Sequence, residues 1–140
     1  MPGLVGTYEK KQNEGFLCCM KLLNVPEEKM EKAKGHKCTI QIEKTDNGCC
    51  ITERIGDAVA TTNKITFDKK GEVELPSGEK VQATATVTPE CDQIVVTVNE
   101  SFKITLKQTE EGMKITVEKD GKVCVIDCAR VAEKETEKAE

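Results

Sequence analysis

Hydrophobic and polar residues alternate along most of the chain between positions 36 and 131. Residues 38–43, for example, place cysteine and isoleucine at every second position, which is the period of a half-buried β-strand. Short turn signals such as Asn47-Gly48 and Asp120-Gly121 separate these stretches and favour hairpins over crossovers. Together with a strand at 4–11, the pattern predicts about ten strands in meander order.

A different pattern lies between the first two predicted strands, because apolar residues there recur at the spacing of a helix. They fall at four positions of the first segment: Phe16, Cys19, Met20 and Leu23. In the second segment, Pro26 fits the first turn of a helix and Gly35 fits the position after its end. The sequence therefore predicts two short helices joined by a tight link, a helical cap at about 15–35.

Regular strands in meander order are typical of an up-and-down β-barrel, because closure leaves no exposed sheet edge. The predicted fold class is mainly β, with a ten-stranded antiparallel barrel capped by the two helices. At 140 residues the chain is most simply one domain, which we place at 1–132. The remaining segment, 133–140, is polar and is expected to be a frayed tail.

The composition is ordinary for a globular protein and excludes several classes of function. Hydrophobic residues make up 37% of the chain, charged residues 33%, and the net charge is −4. The sequence has no basic patch with interleaved aromatic residues, so nucleic-acid binding is not predicted. Its apolar runs are shorter than the ~18 residues of a membrane span, and its first residues lack an apolar leader. We therefore expect a cytoplasmic protein.

Catalytic, metal and cofactor motifs are missing from the sequence. There is no Ser/His/Asp constellation, no paired-carboxylate site, no P-loop and no G-x-G-x-x-G. The chain has eight cysteines but one histidine and no C-x-x-C, so the spacing of a structural zinc site is absent. We therefore expect a protein that is not an enzyme and that has no cofactor and no metal.

The eight cysteines leave two interpretations of the compartment. Free, mostly buried thiols in a reducing cytosol fit a chain without a leader, because a free cysteine packs as a small hydrophobic residue. The alternative is a secreted, lipocalin-like carrier stabilised by disulfides. A thiol count under denaturing conditions separates the two.

Three local motifs, taken in their order and spacing, resemble the intracellular lipid-binding proteins, which comprise the fatty-acid-binding and cellular retinoid-binding proteins. Gly6-Thr7-Tyr8 is similar to the family's opening Gly-Thr-Trp, and Phe16-x-x-x-Met20-Lys21-x-Leu23-x-Val25 resembles its first helix and the link after it. Ile42-Glu43-Lys44 resembles its second strand. The resemblance covers about 4–132 and implies a β-clam of the lipocalin/calycin type that holds one or two lipids.

The last two strands indicate which side chains line the predicted cavity. A two-residue turn at Asp120-Gly121 pairs Val117 with Cys124, and directly paired side chains share a face of the sheet. Because this face is mostly apolar, we expect it to point inward. The predicted lining comprises Ile104, Leu106, Ile115, Val117, Cys124, Ile126 and Cys128. Three helical residues are candidates for the cover of the cavity, and ordinary helix packing explains them equally well: Val25, Met30 and Ala33.

Two polar residues at the ends of predicted strands are candidates for binding the head group of a ligand. The resemblance implies that Arg130 keeps the family's ligand arginine, although Ala132 stands where a tyrosine is expected and another gap would put Cys128 at the arginine position. Gln108 resembles the glutamine that binds a hydroxyl in the retinol-binding branch. For both residues, a solvated position at the end of a strand is an equally good interpretation.

The sequence as a whole therefore predicts a monomeric cytoplasmic carrier of an apolar small molecule. The most favoured ligand is a long-chain fatty acid, and a retinoid is the alternative. A transient contact of the helical cap with membranes is left open, because Lys29, Lys32 and Lys34 cluster on or near the second helix.

Overall fold

The structure, a computed structural model, describes residues 3–131, so the predictions for Ala132 and for the tail at 133–140 lie outside the described residues. Its helices are α1 (Glu14–Leu22) and α2 (Glu27–Lys34), which lie between the first and second strands. Its strands are β1 (Gly6–Lys10), β2 (Cys38–Lys44), β3 (Gly48–Ile55), β4 (Ala58–Thr66), β5 (Lys70–Glu74), β6 (Lys80–Val87), β7 (Gln93–Asn99), β8 (Phe102–Gln108), β9 (Gly112–Lys119) and β10 (Lys122–Arg130).

These strands form one antiparallel sheet, which β1 closes into a barrel by pairing with β2 on one side and with β10 on the other. The remaining pairs join neighbours in sequence, as expected for a meander. In the last hairpin Val117 lies opposite Cys124, which is the predicted register. The prediction of a ten-stranded, up-and-down antiparallel barrel with two helices is confirmed.

The barrel has one seam, between β4 and β5, where backbone pairing does not close it. These strands stand at the two ends of the sheet order, and no ladder joins them within residues 3–131. The side chain of Asn63 on β4 bridges the seam instead. Its Nδ2 donates to the carbonyl oxygen of Glu74 at 3.0 Å, and its Oδ1 accepts from the Glu74 amide at 2.8 Å. One side-chain amide therefore completes a barrel that is otherwise closed by its backbone.

Local sequence explains where the two helices begin and end. The Asn13 side chain caps α1 by accepting hydrogen bonds from the amides of Gly15 and Phe16. Helix α2 begins directly after Pro26, whose fixed φ suits a helix start and whose missing N–H is not needed there. Gly35 ends α2 as predicted, but its φ of −87° makes no use of the left-handed region that glycine permits.

Helix α1 lies unusually close to strand β10. A Cβ atom on Gly15 would stand 1.9 Å from the carbonyl oxygen of Val125, so only glycine allows this approach. Next to this contact, a disulfide joins Cys18 on α1 to Cys124 on β10. The interpretation in which all eight cysteines are free thiols is therefore wrong for this pair, whose members are 106 positions apart in the sequence. The other six cysteines are free thiols.

The turn between β4 and β5 is short, because β4 ends at Thr66 and β5 begins at Lys70. The chain turns there through Asp68, which takes a left-handed conformation with φ of 65°. Aspartate tolerates this region better than most residues, since its short polar side chain can satisfy nearby backbone groups.

The two ends of the barrel differ in what covers them. At the cap end, α2 lies near the β3–β4 and β5–β6 turns. At the far end, the turns after β2, β4 and β6 surround the N-terminal residues Leu4 and Val5. Within residues 3–131 no helix is long and apolar enough to cross a lipid bilayer.

Candidate functional site

The interior of the barrel contains an apolar cavity of about 90 Å³. Five of the residues predicted as lining lie in its wall: Ile104, Leu106, Ile115, Val117 and Ile126. Strands β2 to β4 and helix α1 complete the wall with further apolar side chains, including Ile40, Ile51 and Met20. The five predicted side chains therefore point into the barrel, which is the direction that we expected from the sequence.

A second pocket, of about 210 Å³, lies between α2 and the β3–β4 turn. Its wall includes Val25 and Ala33, two of the three helical residues predicted as cover. The third, Met30, is buried in the core but belongs to neither wall. This outer pocket shares wall residues with the interior cavity, among them Met20 and Pro76, so the two are neighbours beneath the cap. Together they approach the lower end of the 300–1,000 Å³ typical of small-molecule sites.

The two cysteines predicted as lining are buried but do not belong to either wall. Cys124 is held in the disulfide with Cys18. Cys128 is a free thiol on β10, directly opposite Lys10 of β1. Burial raises the pKa of Cys128 to about 12 and that of Cys19 to about 11, in both cases against the influence of Lys10. Both thiols are therefore protonated at neutral pH and are poor nucleophiles.

A buried ion pair between Lys10 and Glu53 lies where the two cavities meet. Lys10 is the last residue of β1 and points inward, with 8% of its surface exposed. On β3, Glu53 lies opposite Ile40 on one side and Thr61 on the other, so all three side chains face the interior. Thr61 is 5% exposed and lines the outer pocket.

The sequence analysis did not single out these three polar residues, although alternation contains the signal for two of them. In β1, Lys10 has the parity of Gly6 and Tyr8, which places it on the buried face. In β3, Glu53 lies between Ile51 and Ile55 on the stripe that faces the interior. A charged residue at an inward position of a predicted strand is the signal that could have identified Lys10 and Glu53 as candidate site residues.

The structure places the two predicted head-group residues away from these cavities, at the ends of their strands. Arg130 is bonded to groups of the N-terminal segment: it donates to the carbonyl oxygens of Gly3 and Val5 at 2.8 and 2.9 Å, and to the Tyr8 hydroxyl at 2.8 Å. Gln108 is exposed at the end of β8, opposite Met113. Neither residue belongs to the wall of the interior cavity or of the outer pocket. Their head-group role stays a prediction.

A wider cleft of about 580 Å³ opens at the far end of the barrel. Its wall combines apolar residues such as Ile42 and Ile94 with charged residues of the turns, including Asp46 and Lys69. The cleft shares no wall residue with the interior cavity or the outer pocket. The cap end therefore offers the better candidate for an apolar ligand, since a buried polar pair and a largely apolar wall meet there.

Comparisons with known proteins agree on one family. The model of a family described as the lipocalin / cytosolic fatty-acid binding protein family matches residues 3–126. Fatty acid binding protein 1-B.1 of Danio rerio is 31% identical over 100 residues, which cover 71% of this chain and 76% of that protein. Its name describes a binding protein and not an enzyme.

Solved structures repeat the architecture. The fatty-acid-binding protein 1 of Echinococcus granulosus superposes with a TM-score of 0.75 at 20% identity, over 94% of this chain and all of that one. A structure described as the REP1-NXSQ fatty acid transporter gives 0.76 at 16% identity, over 92% of this chain and 96% of the other. At such identities the likeness concerns the fold alone.

Proposed function

Because the chain belongs to the lipocalin / cytosolic fatty-acid binding protein family, we propose that it binds one single-chain apolar lipid inside the barrel and carries it through the cytoplasm. A long-chain fatty acid is the first candidate ligand, in line with the name of the Danio rerio relative. The observation that carries the proposal is the mainly apolar interior cavity next to the outer pocket beneath α2.

Energetics favour such a ligand. Each methylene group that leaves water contributes about 0.8 kcal/mol, so an apolar wall supports tight binding of an acyl chain without a strong polar contact. The modest volume of the interior cavity, about 90 Å³, suits one chain rather than two.

A retinoid is the second candidate, and the ion pair favours it in one respect. Lys10 and Glu53 neutralise each other, and a neutral polar pair suits an alcohol at least as well as an acid.

We further propose that the carrier is monomeric and that the cap touches membranes transiently. Support for the membrane contact comes from Lys29 and Lys32 beside the outer pocket and from Val59, which is 56% exposed there.

Lipid extraction and native mass spectrometry of the purified protein test the proposal. We expect a co-purified lipid, and displacement of a fluorescent fatty-acid probe by long-chain lipids at one main site. Ala33→Trp, which places a large ring in the outer pocket, should weaken probe binding at least tenfold. Val123→Trp, at an exposed position of the β9–β10 hairpin outside every described cavity wall, is the matched control. Absence of a bound lipid together with absence of probe binding would contradict the proposal.

A further inference from the structure

The ion pair of Lys10 and Glu53 is built into the wall of the cavities rather than into the packed core. Both residues line the interior cavity and the outer pocket, so each is reached from both sides of the junction. The side chains are 7% and 20% exposed, which leaves the pair nearly sealed from bulk water. A ligand that occupies both the outer pocket and the interior cavity would therefore have this pair in its wall on both sides of the junction.

The groups around the pair have unused hydrogen-bonding capacity. An ammonium group has three donors, and the described residues supply Lys10 Nζ with a single acceptor, a carboxylate oxygen of Glu53. The hydroxyl of Thr61 is buried and finds no hydrogen-bond partner among residues 3–131. Buried polar groups without partners are costly, so a polar atom of a ligand placed here is stabilised by both residues.

Charge decides which polar atom fits. Burial alone would lower the pKa of Lys10, but the attraction and hydrogen bond of Glu53 outweigh burial and raise it. Lys10 is therefore a cation at neutral pH, and Glu53 is its counter-ion. A ligand carboxylate would bring a second negative charge beside Glu53 in a site of low dielectric, where like charges repel strongly. A hydroxyl or amide meets no such repulsion, because it donates to Glu53 and accepts from Lys10 or Thr61.

We propose that Lys10, Glu53 and Thr61 form a head-group subsite that selects the uncharged, hydrogen-bonding end of a single-chain lipid, an alcohol or an amide, over an ionised carboxylate. The inference rests on the proposed function and narrows its ligand. A fatty acid still binds, with its carboxylate towards Lys29 and Lys32 in the outer pocket, but more weakly than the amide of the same chain.

Three probes of one chain length test the selectivity: dodecanoate, dodecanamide and dodecanol, each measured by displacement of a fluorescent fatty-acid probe at pH 8. The unaltered protein should bind the amide and the alcohol at least tenfold more tightly than dodecanoate. Glu53→Gln removes the counter-ion of Lys10 and keeps the shape, so dodecanoate should gain at least tenfold while the amide changes little.

Two further variants control for charge and for folding. Glu118→Gln removes the same charge from an exposed pair with Lys103, outside the cavities, and should leave the ratio of affinities unchanged. The double variant Lys10→Met with Glu53→Leu replaces the pair by apolar groups, which proteins tolerate better than one unpaired charge. It should bring the affinities for the three lipids within about threefold of one another. If Glu53→Gln does not fold, this double variant decides whether the ion pair sets the selectivity.

Failure of the inference and failure of the proposed function give different results. If the unaltered protein binds none of the three lipids, the proposed function is wrong and the subsite falls with it. If it binds them but prefers dodecanoate, the lipid carrier stands and the subsite is overturned. The same holds if the ratio of amide affinity to dodecanoate affinity is unchanged in both the Glu53→Gln and the double variant.

Discussion

Arg130, whose head-group role stays a prediction, also makes contacts that give it a structural role in the fold. Its guanidinium group donates to two backbone carbonyl oxygens and to the Tyr8 hydroxyl, and it lies 4.8 Å from the centre of the Tyr8 ring. A planar group with several fixed donors suits this arrangement, which a lysine could not reproduce. Three hydrogen bonds from the Arg130 guanidinium are therefore made within the protein, and they tie the end of β10 to the N-terminal segment.

Substitution of Arg130 separates this structural role from the predicted head-group role. We expect Arg130→Ala to lower the free energy of unfolding by about 1.5–3 kcal/mol, because hydrogen bonds from a charged group are lost. Affinity for dodecanoate should stay within about twofold of the unaltered protein. Denaturant titration and probe displacement measure the two effects. Lys107→Ala, at an exposed position of β8 that is not a predicted ligand contact, is the control and should change neither.

A selective loss of dodecanoate affinity in Arg130→Ala, with alcohol binding and stability intact, would instead support the role inferred from sequence.

The sequence could give the parity of Arg130 but not its partners. The Tyr8 hydroxyl is 122 positions away along the chain, and local alternation contains no information on contacts at that distance. Glu53 is the opposite case, since its inward parity was visible and only its partner Lys10, 43 positions away, was not.

At the scale of elements, the arrangement of α1 on β10 is the most constrained contact in the cap. Gly15 brings the helix backbone against the strand, and the Cys18–Cys124 disulfide fixes the same two elements covalently. Cys18 is exposed, so a reductant can reach it. In a reducing compartment the pair is expected to be open, because disulfides there are rare. Outside such a compartment the disulfide holds α1 to β10, and inside it only non-covalent packing does.

The disulfide predicts a specific thiol count and a specific change in stability. Protein purified without reductant should give six free thiols under denaturing conditions, and eight after reduction. Opening the bond should lower the free energy of unfolding by about 2–4 kcal/mol, since it closes a long loop in the unfolded chain. Cys18→Ser should behave like the reduced protein, and Cys91→Ser, at a free thiol outside the bond, should not.

Eight thiols without reductant would show that the pair does not form under those conditions. The sequence could predict that Cys49 and Cys50 do not bond to each other, because neighbours in a strand point to opposite faces. It could not pair Cys18 with Cys124, since this pairing depends on how a helix lies on a strand that follows it by about a hundred residues. The helices and the strands were predictable because their signals are local.

At the scale of the whole molecule, buried free thiols make the fold sensitive to alkaline conditions. Burial raises the pKa of Cys19 and Cys49 to about 11 and that of Cys128 to about 12, from an ordinary value of 9.0. At pH values between 9.0 and the raised pKa of each thiol, the unfolded chain releases protons that the folded chain retains. Stability from this source is complete below pH 9 and is lost as the pH rises.

We therefore expect the free energy of unfolding to fall between pH 9 and 11, by up to about 4 kcal/mol per pH unit for the three thiols together. Denaturant titrations across this range, with the disulfide intact, measure the slope. Cys128→Ala should reduce the slope by about 1.4 kcal/mol per pH unit, the contribution of one thiol. An unchanged slope in this variant would assign the alkaline loss of stability to other groups.

The seam between β4 and β5 has a consequence for the behaviour of the protein in concentrated solution. Two adjacent strand edges that lack a ladder are the kind of surface onto which a second chain can add and start a fibril. Asn63 occupies part of both edges with its own amide, and the short strand β5 carries charged residues at every second position: Lys70, Glu72 and Glu74. We therefore expect the side chain that completes the barrel wall to hinder the addition of a second chain at this seam.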